Sequence, residues 1–200
     1  MKDIVIATQN KHKIEEIGAI TEKYDFRLLS GKEIGIQGVE VEEDGNTFEE
    51  NSYKKANEIM KLTGMITIAD DSGLEVDALN GAPGVYSARF AGEDATDDDN
   101  NKKLMKELEG IPYEKRTGRY VCVITMVFPD GKKLVARGEC EGHIAAEPQG
   151  KNGFGYDPYF IPEGYDKSFG LIEPAEKNRI SHRAKALEKL AELLSKENIR

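Results

Sequence analysis

Apolar and polar positions follow two periods along this chain, and the switches between them mark out its elements. Asp3-Ile-Val-Ile-Ala-Thr8 is a short β-branched run, as expected of a buried strand. A polar stretch, Thr8-Gln-Asn-Lys-His-Lys13, follows, and Ile14, Ile17 and Ile20 then recur at helical spacing up to about Lys23. Phe26 to Leu29 reads as a second strand, so the chain opens with a strand–helix–strand unit. Beyond an acidic loop from Glu40 to Asn46, Thr47-Phe48-Glu49-Glu50 reads as a capping box. The Thr hydroxyl and the Glu three residues on would satisfy each other's backbone donors. The helix it starts is expected to reach about Leu62, with Phe48, Ala56, Ile59 and Met60 inward. Met65 to Ala69 is a further strand ending in Asp70-Asp71-Ser72-Gly73, and Ala82-Pro83-Gly84 marks a turn. Thr96 caps a third helix with Leu104, Met105 and Leu108 inward. Strands at about 118–128 and 132–143 flank Pro129-Asp130-Gly131, a strong hairpin signal. A glycine-rich loop from Gly150 to Asp157 leads to Tyr159-Phe160-Ile161. The last helix starts near Ser181, with Ala184, Leu187, Leu190, Ala191 and Leu194 on one face. With no repeat, low-complexity tract or linker, residues 1–200 read as a single α/β domain of mixed strands and helices.

Composition narrows the function. Of 200 residues 38% are hydrophobic and 32% charged, too polar for a membrane protein and too patterned for a disordered one. The longest nearly apolar run, Val121 to Phe128, is far short of the ~20 residues that span a bilayer. The start of the chain has no signal-peptide core, so a cytoplasmic protein is expected. A net charge of −9 argues against nucleic acid as a partner, because bulk attraction to it needs a basic face. A smaller polyanion would have to be met by a few placed cations, helix N-termini or a metal ion. The two cysteines, Cys122 and Cys140, fit neither a disulfide framework nor a zinc site. Pairing centred on Asp130 makes them diagonal neighbours at best, so they read as small buried thiols.

Three stretches carry candidate chemistry. At the strand–helix junction, Thr8 to Lys13 offers the free N–H groups of a helix N-terminus. Asn10 adds a donor amide there, and Lys13 a full charge one turn into the helix. It is no P-loop, since GxxxxGK[ST] is missing. In Ala69-Asp70-Asp71-Ser72-Gly73, adjacent carboxylates on an extended chain point to opposite sides. One can take a buried role while the other faces a ligand, and such oxygens suit Mg²⁺; composition alone allows a plain turn equally well. Glu43 could supply a second metal oxygen, while Glu40, Glu42 and Asp44 around it read as a solvated charge run. Of Lys54 and Lys55, adjacent on a helix, only one should face the same site. Third, Gly153-Phe154-Gly155-Tyr156-Asp157-Pro158 sets an aromatic between glycines, where a flat ligand can approach closely. Lys177 and Ser181-His182-Arg183 gather donors at the last helix, and an aromatic face plus donors is what a nucleobase requires. Asp94-Ala-Thr-Asp-Asp-Asp-Asn-Asn101 resembles a calcium loop superficially but lacks the glycine at its sixth position and the glutamate at its twelfth. It reads instead as an acidic first turn that complements the helix dipole.

As a set these segments resemble the inosine triphosphate pyrophosphatase family. The resemblance rests on Ala7 to Lys13, Phe48-Glu-Glu-Asn51 with Lys55-Ala56, Ala69 to Leu74, Gly81 to Arg89, Gly153 to Pro158 and Ser181 to Arg183, in family order over nearly the whole chain. It implies an elongated two-lobed α/β fold, a mixed sheet flanked by helices with a central cleft, and a homodimer. It also implies Mg²⁺-dependent hydrolysis of ITP, dITP or XTP to the monophosphate and pyrophosphate, which cleanses the nucleotide pool. Carried over by motif, Thr8, Gln9, Asn10, Lys11, His12, Lys13 and Lys55 would hold the phosphates. Asp71 would accept a proton and contact the metal, helped by Glu43. Ser72, Phe154, Gly155, Tyr156, Asp157, Lys177, His182 and Arg183 would bind nucleoside and base.

Overall fold

Six strands of the described residues form one sheet in the order β2-β1-β3-β4-β5-β6. They are β1 (Lys2–Ile6), β2 (Phe26–Ser30), β3 (Thr67–Val76), β4 (Thr117–Val127), β5 (Lys133–Ile144) and β6 (Phe160–Pro162). The molecule is a computed structural model that describes residues 2–21 and 26–197. β1 pairs in parallel with β2 and with β3, and β5 pairs antiparallel with β6, so the sheet is mixed. Helices α1 (Lys11–Thr21), α2 (Phe48–Thr63), α3 (Asp97–Glu107), α4 (Pro174–Ile180) and α5 (His182–Lys196) flank it, as expected of an α/β fold. The side chain of Ile20 and the expected helix end near Lys23 lie outside the described residues.

Local chemistry explains most boundaries, and three differ from the sequence reading. The Thr47 hydroxyl accepts the Glu50 amide at 3.1 Å, but Glu50 reaches past Thr47 to accept the Asn46 amide at 2.7 Å, so the expected capping box is only half built. The full box stands at α3, where Thr96 and Asp99 exchange side-chain and backbone bonds. Asp70-Asp71-Ser72-Gly73 is neither a turn nor a strand end. β3 runs through it to Val76, which keeps the alternation of faces intact across both carboxylates. A short helix, α4, precedes the last one; Glu173-Pro174 starts it, Pro occupying a first-turn position where its missing N–H costs nothing.

Two compact units divide the chain: residues 1–71, 122–138 and 183–200 make one, and 72–121 with 139–182 the other. β3, β4 and β5 contribute to both. The first unit packs Ile4, Ile6, Ile68, Ile124 and Met126 of the sheet against Ile17 of α1 and Ala184, Leu187, Leu190 and Leu194 of α5. On the sheet's other side, Ala69 and Val127 meet Ala56 of α2. The second unit has its own core, with Leu74, Tyr120, Ile144 and Phe160 against Leu104, Leu108 and Phe169. Both cysteines are buried free thiols, as expected.

Candidate active site

Strand alternation builds the first half of the site. Ile68 of β3 belongs to the face covered by α1 and α5, and Ala69 to the face covered by α2. Asp70 and Asp71 continue that alternation and acquire different partners.

Asp70 is fully buried among cations. Its Oδ2 lies 3.1 Å from Nζ of Lys13 and 3.2 Å from the Arg183 guanidinium, which also pairs with Glu16 one turn beyond Lys13. The Cys122 thiol lies 3.9 Å from the same oxygen. Burial disfavours the Asp70 anion, but Lys13 and Arg183 outweigh it and hold the carboxyl below the usual carboxylate range. Burial likewise works against the Lys13 ammonium, and Asp70 and Asp71 hold its pKa above the ordinary lysine value. The buried thiol is pushed up to about 12, so Cys122 is an inert filler. Asp70 therefore anchors Lys13.

Asp71 goes the other way. Burial pushes its carboxyl up to about 6; Lys55 and Lys13 oppose that push and Glu43 adds to it. Its Oδ2 accepts the Asn51 amide of α2 at 3.0 Å. Asn51 Oδ1 in turn accepts the Gly45 amide at 2.8 Å, tying the acidic loop to β3. A Cβ at Gly45 would lie 2.6 Å from that oxygen, so the approach requires glycine. Lys55 holds Glu43 at 2.9 Å and Lys54 holds Asp44 at 2.7 Å. Of these two lysines it is Lys55 that is buried beside Asp71, as helical divergence demands.

The α1 N-terminus completes this half. Asn10 Oδ1 accepts the amides of His12 at 3.0 Å and Lys13 at 3.3 Å, so Asn10 is a helix cap, with its carbonyl rather than its amide engaged. Thr8 Oγ1 accepts the Asn10 amide, and Gln9 reaches the Val39 carbonyl at 3.4 Å. Lys11 and His12 are exposed on a first turn that carries no acidic residue. This is a positive N-terminus suited to an anion.

The donor set beside Asp71 fits a hard divalent cation. Asp71 and Glu43 offer carboxylate oxygens close enough together for the Glu43 charge to raise the Asp71 carboxyl. Among the described residues no three His, Cys, Asp or Glu side chains form a closed cage. Mg²⁺ suits such a set, because it binds one or two carboxylates and completes its shell with water and substrate phosphate.

The second unit gathers the aromatic residues. Asp157 Oδ2 accepts the Phe154 amide at 2.9 Å and pairs with Lys177 Nζ at 2.7 Å, both side chains buried. That Nζ lies 4.9 Å from the Phe154 ring centroid, a cation–π contact. Gly153 makes the loop possible: its φ is +74°, and a Cβ there would lie 1.9 Å from the Asp157 carboxylate. Tyr156 is buried and donates its hydroxyl to the Ser87 carbonyl at 2.7 Å. The His182 imidazole stacks on Tyr120, centroids 4.7 Å apart and planes 11° apart. Ser72 is half-buried in β3, and Ser181 closes α4 by donating its amide to the Lys177 carbonyl at 2.9 Å.

The structure thus brings Lys13, Lys55, Glu43 and Asp71 into one unit, and Phe154, Gly155, Tyr156, Asp157, Lys177 and His182 into the other. Arg183 belongs to the first unit, on Asp70 and Glu16. Sequence reasoning missed Glu16, Asn51, Asp97, Asn101 and the Tyr120 stack. One signal was available: Asn51, Asn100 and Asn101 sit inside helices, where asparagine is a poor former, and all three are buried.

These features describe an α/β protein with a cationic, carboxylate-bearing site in one unit and an aromatic cradle with paired charges in the other. The chain belongs to the Ham1 family, whose profile matches residues 4–193. It is 50% identical to a dITP/XTP pyrophosphatase of Clostridium perfringens, over 97% of this chain and 98% of that protein. It is 51% identical to another so named from Thermoanaerobacter pseudethanolicus, over 96% of each. Among solved structures, a HAM1 protein from Coxiella burnetii superposes with a TM-score of 0.88 at 40% identity, over 98% of this chain and 100% of that one. The Staphylococcus aureus Ham1 protein gives 0.86 at 42% identity with the same coverage.

Proposed function

We infer that this chain is a nucleoside triphosphate pyrophosphatase that hydrolyses ITP, dITP and XTP to the monophosphate and pyrophosphate with Mg²⁺, clearing non-standard purines from the nucleotide pool. The observation that supports this reading best is the split between two adjacent carboxylates. Asp70 is held as an anion that anchors a lysine, while Asp71 is raised to about 6, where a general base works at neutral pH.

Each residue then has a defined task. Lys13, Lys55 and the α1 N-terminus bind the triphosphate, with Asp70 and Glu43 fixing where the two ammonium groups point. Asp71, ionised above about pH 6, orients the attacking water and takes its proton, and Asn51 fixes the carboxylate's orientation. Glu43 and Asp71 would hold Mg²⁺, which when bound would offset the charge developing on the phosphate oxygens and the leaving pyrophosphate. Phe154 supplies a face for the base. Lys177, fixed by Asp157, is a donor only, so it matches the 6-oxo group of hypoxanthine or xanthine and mismatches the 6-amino group of adenine. A buried donor left unpaired in this way can reject an analogue by up to ~10⁴-fold. His182 and Arg183 are assigned to the nucleoside end by motif. No helix of the described residues is long and apolar enough to cross a membrane, in keeping with a cytoplasmic enzyme. We propose that it acts as a homodimer, with residues 1–200 as one functional unit and no nucleic-acid partner.

The test is a substrate panel of ITP, XTP, dITP, GTP and ATP with and without Mg²⁺. Metal-dependent turnover that favours the 6-oxo non-standard purines is expected; equal rates on ATP and ITP would defeat the reading.

A further inference from the structure

The loop assigned to the base is held by a helix to which the proposed reaction gives no part. Gly155 sits between Phe154 and Tyr156 with φ +61°, and both polar groups of its backbone are bound by α3. Its amide donates to Asp97 Oδ2 at 2.7 Å, and its carbonyl accepts from Asn101 Nδ2 at 2.9 Å. Asp97 and Asn101 are four residues apart, so they project from one face of the helix, one turn from each other. The neighbouring Asn100 holds a second segment, donating to the Ala88 carbonyl at 3.0 Å and accepting the Ala91 amide at 2.8 Å. Tyr156 joins the two segments through the Ser87 carbonyl. One helix face thus fixes both the Phe154 loop and the 84–91 turn beside it.

Stability does not account for Asn101. It lies inside a helix where asparagine is a poor former, it is buried, and its Oδ1 has no hydrogen-bond partner among the described residues. A leucine there would avoid each of these penalties. What asparagine supplies is a donor aimed at the Gly155 carbonyl.

We propose that Asn101 and Asp97 are positioning residues for base recognition: by clamping the Gly155 peptide they set where the Phe154 ring and Asp157, with its Lys177 partner, meet the purine. This rests on the functional reading above. Without the clamp the loop samples other positions, and binding energy from the base is lost while the phosphate-binding residues of the other unit are untouched.

The experiment compares Asn101→Leu, Asn101→Gln, Asp97→Ala and Asp97→Asn with the wild type, using ITP and ATP turnover with Mg²⁺ and titration calorimetry of IMP. Asn101→Leu and Asp97→Ala should each raise the ITP KM and the IMP Kd about ten-fold, the scale of one lost hydrogen bond, with kcat within about three-fold. The preference for ITP over ATP should fall with them. Asp97→Asn keeps an acceptor oxygen and Asn101→Gln keeps an amide donor, so both should stay nearer the wild type. Asp97 is exposed, so Asp97→Ala reads the clamp even should Asn101→Leu fail to fold. Unchanged KM, Kd and preference in the Asp97→Ala variant, or a loss confined to kcat, overturns the proposal and leaves the enzyme assignment standing. A wild type that releases no pyrophosphate from ITP defeats the functional reading, and the proposal with it.

Discussion

Replacing Asp71 by asparagine should make the metal-free protein more stable at neutral pH while abolishing turnover. Burial raises the Asp71 carboxyl from its ordinary 3.8 to about 6, so the fold prefers the protonated acid to the anion. Because the folded pKa is the higher one, the favourable contribution is complete below about pH 4 and disappears as pH rises through about 6. At 1.36 kcal/mol for each pKa unit, the wild type gives up about 3 kcal/mol over that window. Asparagine does not ionise, keeps an oxygen to accept the Asn51 amide, and gives up nothing there. For a chain of this size 1 kcal/mol moves the melting temperature by roughly 2–4 °C, so the variant should gain about 6–12 °C on the wild type between pH 4 and pH 8. The assay is thermal unfolding of both proteins in EDTA across that range, read as the difference in melting temperature. Any fixed offset from the substitution cancels in the pH dependence. A difference that stays flat with pH, or a wild type that gains on the variant as pH rises, would refute the idea that Asp71 is a buried base strained by desolvation.

Other outcomes follow from the same contacts. Mg²⁺ should raise the melting temperature of the wild type at pH 8 by several degrees and that of a Glu43→Gln, Asp71→Asn double variant hardly at all; equal shifts would place the cation elsewhere. Arg183→Ala leaves the buried Asp70 and the half-buried Glu16 with one cation fewer, which should cost about 3–5 kcal/mol in denaturant titrations at neutral pH; a loss below 1 kcal/mol contradicts the ion pairing of Asp70. Gly153→Ala puts a methyl group against Asp157 at a positive φ, so ITP should bind at least ten-fold more weakly; unaltered binding would show that the loop geometry is not needed.

The apolar pattern made the architecture legible. The β-branched runs, the helical stripes of α2 and α5 and the Pro129–Gly131 turn lie where periodicity places them, because burial of those side chains is what holds the elements. What periodicity could not reveal was contact between distant residues. Nothing local tells that β3 continues through Asp70 to Gly73, because Asp, Ser and Gly are turn formers and only pairing in the sheet overrides them. Strand alternation offers Asp70 and Asp71 opposite sides, but composition allows a plain turn equally well, so their different fates were only one of two readings. Which carboxylate would be held by Lys13 and Arg183 depends on packing between β3, α1 and α5. The acidic start of α3 looked like dipole compensation, and Thr96 and Asp99 do form a capping box there, yet Asp97 and Asn101 also bind Gly155, more than fifty residues away. Buried asparagines inside helices were the sequence's one pointer to such contacts.

The most direct measurement is the identity of the phosphorus products. Wild-type protein is incubated with ITP and Mg²⁺ and the reaction followed by ³¹P NMR. Cleavage between the α and β phosphates, giving IMP and pyrophosphate with a rate that vanishes in the Asp71→Asn variant, is what the proposed function predicts. IDP and orthophosphate as products, or full activity in that variant, would contradict it.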